Sequence, residues 1–142
     1  MYRCCIFDLD GTLLNTLKSL QHTVNATLAH RDLGPVDEAH IKQFVGDGYQ
    51  MLVERALTYC GDEELVHYEK ALKVYMQEFA IHSMDEVRPY DNIPVILDYF
   101  KEQGVIIAVL YNKPHEKTVY HINEVFGEGY LDYVAGEKPE VK

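Results

Sequence analysis

Asp8 and Asp10 stand two residues apart at the end of a short apolar run, Arg3 to Phe7, and are followed at once by Gly11 and Thr12. On an extended backbone, side chains two apart project to one side, so both carboxylates point the same way while Leu9 points away. A hard divalent ion such as magnesium takes oxygen ligands of this type, although two acids fill only part of its shell. Gly11 lets the backbone approach a ligand closely, and Thr12 adds an amide and a hydroxyl. The same residues also suit an ordinary polar turn that closes a strand, and D-x-D by itself leaves the two readings level.

The segments around this turn decide where it sits. Residues 3–7 read as a buried strand that stops in Asp8-Leu9-Asp10-Gly11-Thr12. From Thr16 onward Leu17, Leu20, Val24 and Leu28 recur at helical spacing, and Gly34-Pro35 closes that stretch. Asp37 is placed to cap a short helix ending at Gly46, and Tyr49, Leu52, Val53, Ala56, Leu57 and Cys60 share one helical face. Asp62, Glu63 and Glu64 supply the cap and first-turn acids of a further helix, with Leu65, Leu72, Tyr75, Met76 and Phe79 inward. Residues 16–84 thus read as four consecutive helices without a strand.

After Arg88-Pro89-Tyr90 the pattern changes. Pro94 and Gly104 bracket a helix with Ile96, Leu97 and Phe100 inside, and Val105 to Leu110 is an all-apolar strand suited to the middle of a parallel sheet. Thr118, Val119, Ile122 and Phe126 mark another helix, and Leu131 to Ala135 another strand. Strands alternating with helices predict an α/β fold, a doubly wound, Rossmann-like parallel sheet, with an α-helical cap domain inserted after the first strand. The expected domains are an α/β core of residues 1–15 and 86–142 and a helical cap of residues 16–85. In such sheets ligands bind at the carboxyl ends of the strands, which is where Asp8 and Asp10 fall.

Composition narrows the functional classes. Thirteen Lys and Arg against 23 Asp and Glu give a net charge of −10, and the cations form no cluster, so nucleic acid is not an expected partner. Cys4, Cys5 and Cys60 are odd in number and lack C-x-x-C spacing, which fits a reducing compartment better than a disulfide framework or a zinc ribbon. The longest apolar run, Val105 to Tyr111, is far below the ~20 residues of a membrane helix. The first ten residues carry acids where a signal peptide needs an apolar stretch, so a cytoplasmic location is expected. The seven His share no metal-ligand spacing, and His22, His40, His67 and His82 read as solvated helix side chains without a role.

The full string Phe7-Asp8-Leu9-Asp10-Gly11-Thr12-Leu13-Leu14-Asn15-Thr16 is more specific than D-x-D, and it resembles the first motif of the haloacid dehalogenase superfamily. Ala108-Val109-Leu110-Tyr111-Asn112-Lys113-Pro114 is similar to the second motif of the phosphoglycolate phosphatase-like branch, which usually has Ser or Thr before Asn-Lys-Pro. Arg88-Pro89-Tyr90, and Phe44-Val45-Gly46-Asp47-Gly48 with Arg55, also look like that branch. The resemblance extends over the whole chain.

It implies a magnesium-dependent phosphatase acting on a small phosphorylated metabolite, a phosphoglycolate-like monoester. Asp8 would be the nucleophile that forms an aspartyl-phosphate, and Asp10 the general acid and then base. Mg2+ would bind the Asp8 carboxylate and the Asp10 backbone carbonyl. Gly11, Thr12, Tyr111 and Asn112 would hold phosphate. Gly46, Gly48 and Arg55 would be cap residues that touch substrate, against the plainer reading of a helix-linking turn and a surface cation.

Two departures temper the implication. Tyr111 replaces the short hydroxyl of the second motif and cannot place its oxygen on the same phosphoryl oxygen. The family's third-motif lysine and fourth-motif acids would fall beyond Lys142, so the last strands of the core are expected to be missing and activity to be impaired. A non-catalytic homologue that binds phosphate or a protein partner is the first alternative, and a phosphosugar mutase on the same scaffold the second. With the later strands missing, strand one becomes an unpaired apolar edge through which chains would self-associate.

Overall fold

The structure, a computed structural model, describes residues 2–137, with the side chains of residues 112–115, 117 and 137 outside that description. Asn112, expected on phosphate, therefore lies outside the described side chains. The chain divides into two compact units: one holds the segment up to Asn15 and the segment from Arg88 onward, the other Thr16–Val87.

The first unit is built on a three-stranded parallel sheet of β1 (Cys4–Phe7), β4 (Ile106–Pro114) and β5 (Tyr133–Glu137), in the order β1-β4-β5. The apolar segment predicted for the middle of the sheet occupies the middle, and β1 is an edge. Register sets Cys5 beside Ile107 and Phe7 beside Val109, so these four share a face. Ile107 and Val109 are fully buried, and the Phe7 ring lies 6.4 Å from Phe100 of α5 (Ile93–Glu102). The connections through α5 and α6 (His115–Phe126) advance across the sheet in one direction, so right-handed crossovers lay both helices on this face. Pro94 lies in the first turn of α5, where its missing N–H costs nothing, and Gly104 takes a left-handed φ of 73° just past the helix end. Of the expected inward residues Leu97 is fully buried, whereas Ile96 is 43 % exposed, because the sheet meets a narrower stripe of α5 than its apolar residues span.

A two-residue pair absent from the sequence reading, β2 (Leu14–Asn15) with β3 (Arg88–Pro89), joins the two segments of this unit in antiparallel register. Segments this short carry no periodicity from which to read a strand.

The second unit is helical: α1 (Leu17–Ala29), α2 (Glu38–Phe44), α3 (Tyr49–Tyr59) and α4 (Tyr68–His82). Val24, Leu28, Ile41, Leu52, Leu57 and Tyr75 meet in one buried cluster. Asp37 caps α2, its carboxylate accepting the His40 amide at 2.9 Å. The fourth helix starts later than its apolar pattern implies. Asp62 accepts the amides of Val66 and His67 at 2.9 and 3.0 Å, and Leu65 is held at φ 55°, so the side-chain turn takes the place of a first helical turn. His67 consequently precedes α4 and is not within it. Met76, expected inward, is 40 % exposed, while Tyr75 and Phe79 on the same helix are buried.

Candidate active site

Strand β1 delivers Asp8 to its carboxyl end and the chain then folds back sharply. The Leu9 carbonyl accepts the amides of Thr12, Leu13 and Leu14 at 3.3, 2.9 and 3.0 Å, and the Gly11 amide donates to Leu14 O at 2.9 Å. Gly11 takes φ 76° in this reversal, a conformation that favours glycine; a Cβ there would meet nothing within 4 Å, so torsion and not crowding selects the residue. Leu9, Leu13 and Leu14 are completely buried and anchor the loop from below. Between them Asp8 is exposed and Asp10 half-buried. The Asp8 Oδ1 accepts the Leu9 amide at 2.9 Å.

The second element of the site is β4, adjacent to β1. Phe7 is level with Val109, so Asp8, just past the end of β1, emerges beside the continuing strand β4. Tyr111, half-buried, donates its hydroxyl to Asp10 Oδ2. The fold thus joins two residues separated by 101 positions. Asp10 and Tyr111 were each singled out in the sequence, but a contact between them has no signal there. The amides of Gly11 and Thr12 already serve the turn, which leaves the Thr12 hydroxyl, on an exposed residue, as the donor these two residues can offer a ligand.

The remaining candidates belong to the helical unit. Arg55 donates to the Phe44 carbonyl at 2.9 Å and pairs with Asp47 at 2.6 Å, across the loop that contains Gly46 and Gly48. Both glycines have positive φ, 119° and 88°, and Gly48 is the residue from which α3 starts. The guanidinium therefore braces the turn between α2 and α3, and the three residues form one local assembly.

An α/β unit that carries an aspartate pair at the end of its first strand, and that is interrupted by a helical insertion, defines a class of hydrolase fold. The model of the haloacid dehalogenase-like hydrolases matches residues 5–141, and the chain belongs to that family. It is 31 % identical over 133 residues to a phosphoglycolate phosphatase of Mesorhizobium japonicum, covering 93 % of this chain and 59 % of that protein. A phosphoglycolate phosphatase of Rhodospirillum rubrum is 34 % identical over 119 residues, 80 % of this chain and 49 % of its own length. Among solved structures, a protein of Lactobacillus delbrueckii provisionally named a phosphoglycolate phosphatase superposes with a TM-score of 0.87 at 27 % identity, covering 99 % of this chain and 67 % of that one. The chain thus spans roughly half to three fifths of the length of these curated relatives. Among the described residues no helix is long and apolar enough to cross a membrane.

Proposed function

We propose that this chain carries the nucleophile and acid–base half of a cytoplasmic phosphatase site that hydrolyses a small phosphate monoester, phosphoglycolate being the substrate of the named relatives. The observation that carries the reading is the placement of Asp8 and Asp10 at the carboxyl end of β1, beside β4, where open α/β sheets bind ligands. Asp8, exposed and oriented by the Leu9 amide, attacks phosphorus as the leaving oxygen departs. Asp10 protonates that oxygen and then takes a proton from the water that opens the aspartyl-phosphate. Thr12 and Asn112 are proposed to steady the phosphoryl group, with Gly11 shaping the turn, and Gly46, Gly48 and Arg55 to shape the face that selects substrate.

The carboxylate donors of Asp8 and Asp10 are the hard oxygens that Mg2+ takes, and the Asp8 carboxylate with the Asp10 carbonyl would hold it here. When bound, Mg2+ supplies charge neutralisation at the phosphoryl oxygens.

Tyr111 modifies the scheme. Its hydroxyl donates to an Asp10 carboxylate oxygen and so competes with the leaving group for that oxygen. This contact favours a second reading, a homologue that binds phosphate or a protein partner without turnover. In the haloacid-dehalogenase scaffold a phosphosugar mutase would use the same two aspartates and differ by isomerising its substrate.

Phosphate release from an aryl phosphate tests the scheme. Asp8→Asn is expected to abolish it with the fold intact, and full turnover in that variant overturns the nucleophile. Tyr111→Ser is expected to raise the rate, by up to ~10²-fold if a preorganised donor is restored. A lower rate would place the tyrosine among the productive contacts.

A further inference from the structure

Three ionisable side chains of the helical unit meet, His22 joining His82 and Asp85 from 63 positions before Asp85. His22 lies in α1, His82 ends α4, and Asp85 occupies the turn that follows. Both imidazoles turn the same nitrogen to one atom: His22 Nδ1 is 2.9 Å and His82 Nδ1 2.6 Å from Asp85 Oδ2. The two rings stand edge to face with centroids 6.0 Å apart, and the ligand atoms of all three residues lie within 4.8 Å of one another. Each ring's second nitrogen faces a different glutamate. His22 Nε2 is 3.8 Å from Glu86, and His82 Nε2 is 3.5 Å from Glu78, whose other oxygen meets His30 at 3.0 Å.

We infer that His22, His82 and Asp85 form a site for a divalent transition metal of the zinc class. Two imidazoles and one carboxylate are a donor set for zinc, cobalt or nickel, and not for the all-oxygen shell of Mg2+. In metal sites of this kind the uncoordinated ring nitrogen commonly faces a carboxylate, which fixes the ring and its tautomer, and Glu86 and Glu78 stand where that partner is needed. Donor atoms ~2.1 Å from a tetrahedral ion are about 3.4 Å apart, so the two Nδ1–Oδ2 separations need to open by less than about 1 Å. Side-chain exposures of 40, 27 and 35 % for His22, His82 and Asp85 leave room for that rotation and for water as the fourth ligand. On loading, each Nδ1 gives its lone pair to the ion, the ring proton resides on Nε2, and Nε2–H donates toward its glutamate. The ion would cross-link α1 to the exit of α4. The site shares no residue with the aspartate pair, so its presence and the phosphatase reading stand or fall separately.

Titrating the chain with Co2+ at neutral pH and following visible absorption tests this. One equivalent is expected to bind with d–d bands and no thiolate charge-transfer band, to be displaced by Zn2+, and to raise the melting temperature. His22→Ala and His82→Ala are each expected to weaken binding by on the order of 100-fold, and Glu86→Gln by about tenfold, with circular dichroism unchanged. Asp8→Asn is expected to bind as the unaltered chain does. Nitrogen NMR of the imidazoles, which needs no substitution, is expected to show both Nδ1 atoms shifting on Zn2+ addition. Absence of saturable uptake, uptake indifferent to both histidine substitutions, or unshifted Nδ1 resonances would each overturn the inference.

Discussion

The two units meet the demand for burial differently. In the helical unit, Val24, Leu28, Ile41, Leu52, Leu57 and Tyr75 come from all four helices and close one core. In the α/β unit, among the described residues, only one face of the sheet is covered. On the other, Ile6, Ile106, Leu110 and Tyr133 are 65, 51, 47 and 55 % exposed, and parallel register sets them on a common side. Parallel sheets are ordinarily covered on both faces. A helix bundle can complete its core from consecutive segments, whereas each face of a sheet needs its own covering layer, so among the described residues one unit is closed and the other half open.

Core truncation should separate the units most strongly. Leu57→Ala, at a fully buried position, is expected to lower the stability of the helical unit by about 2–5 kcal/mol in urea unfolding. Ile106→Ala on the open face is expected to cost well under ~1 kcal/mol, since half of that side chain is already in water. Equal losses would mean that the sheet face is covered.

Association comes next. The exposed face adjoins the edge strand β1, so the chain is expected to self-associate through it, and Ile6→Lys is expected to shift sedimentation toward monomer. The equivalent change at Ile81 of the helical unit, an exposed helix residue away from any strand edge, should leave sedimentation as it was. An unaffected association in Ile6→Lys would end the comparison at that face.

The smallest effects are on pH dependence, and they have opposite signs. In the helical unit, hydrogen bonds from the His40 amide and ring lower the Asp37 carboxyl, and the amides of His67 and Val66 lower Asp62. Groups depressed by folding stabilise the unit above the ordinary carboxylate range, and that contribution is lost as pH falls through their folded values. In the α/β unit, burial and the Asp98 carboxylate push Tyr130 up from 10.0 to about 12. A raised group contributes below pH 10.0 and loses its contribution as pH rises toward about 12. Carboxyl NMR titration is expected to find Asp37 and Asp62 below the ordinary aspartate value. Alkaline phenolate absorbance is expected to contain a late component that disappears in Tyr130→Phe.

Much of this was legible in the chain itself. The apolar run before Asp8, the helical stripes from Leu17 to Phe79, the Asp37 cap and the all-apolar Val105 to Leu110 are local patterns, and each produced the expected element because helix and strand periodicities are set by the backbone over a few residues. The string around Asp8 and Asp10 likewise placed the chain in its family from short-range identity alone. What remained hidden are pairings between distant segments. Nothing near Leu14 announces Arg88, nothing near Asp10 announces the Tyr111 hydroxyl, and the spacing of the histidines conceals that His22 and His82 converge on Asp85. The late start of α4 and the outward Met76 and Ile96 belong with them. Periodicity states which residues share a face, but which part of that face is covered, and by what, is decided only when the elements pack.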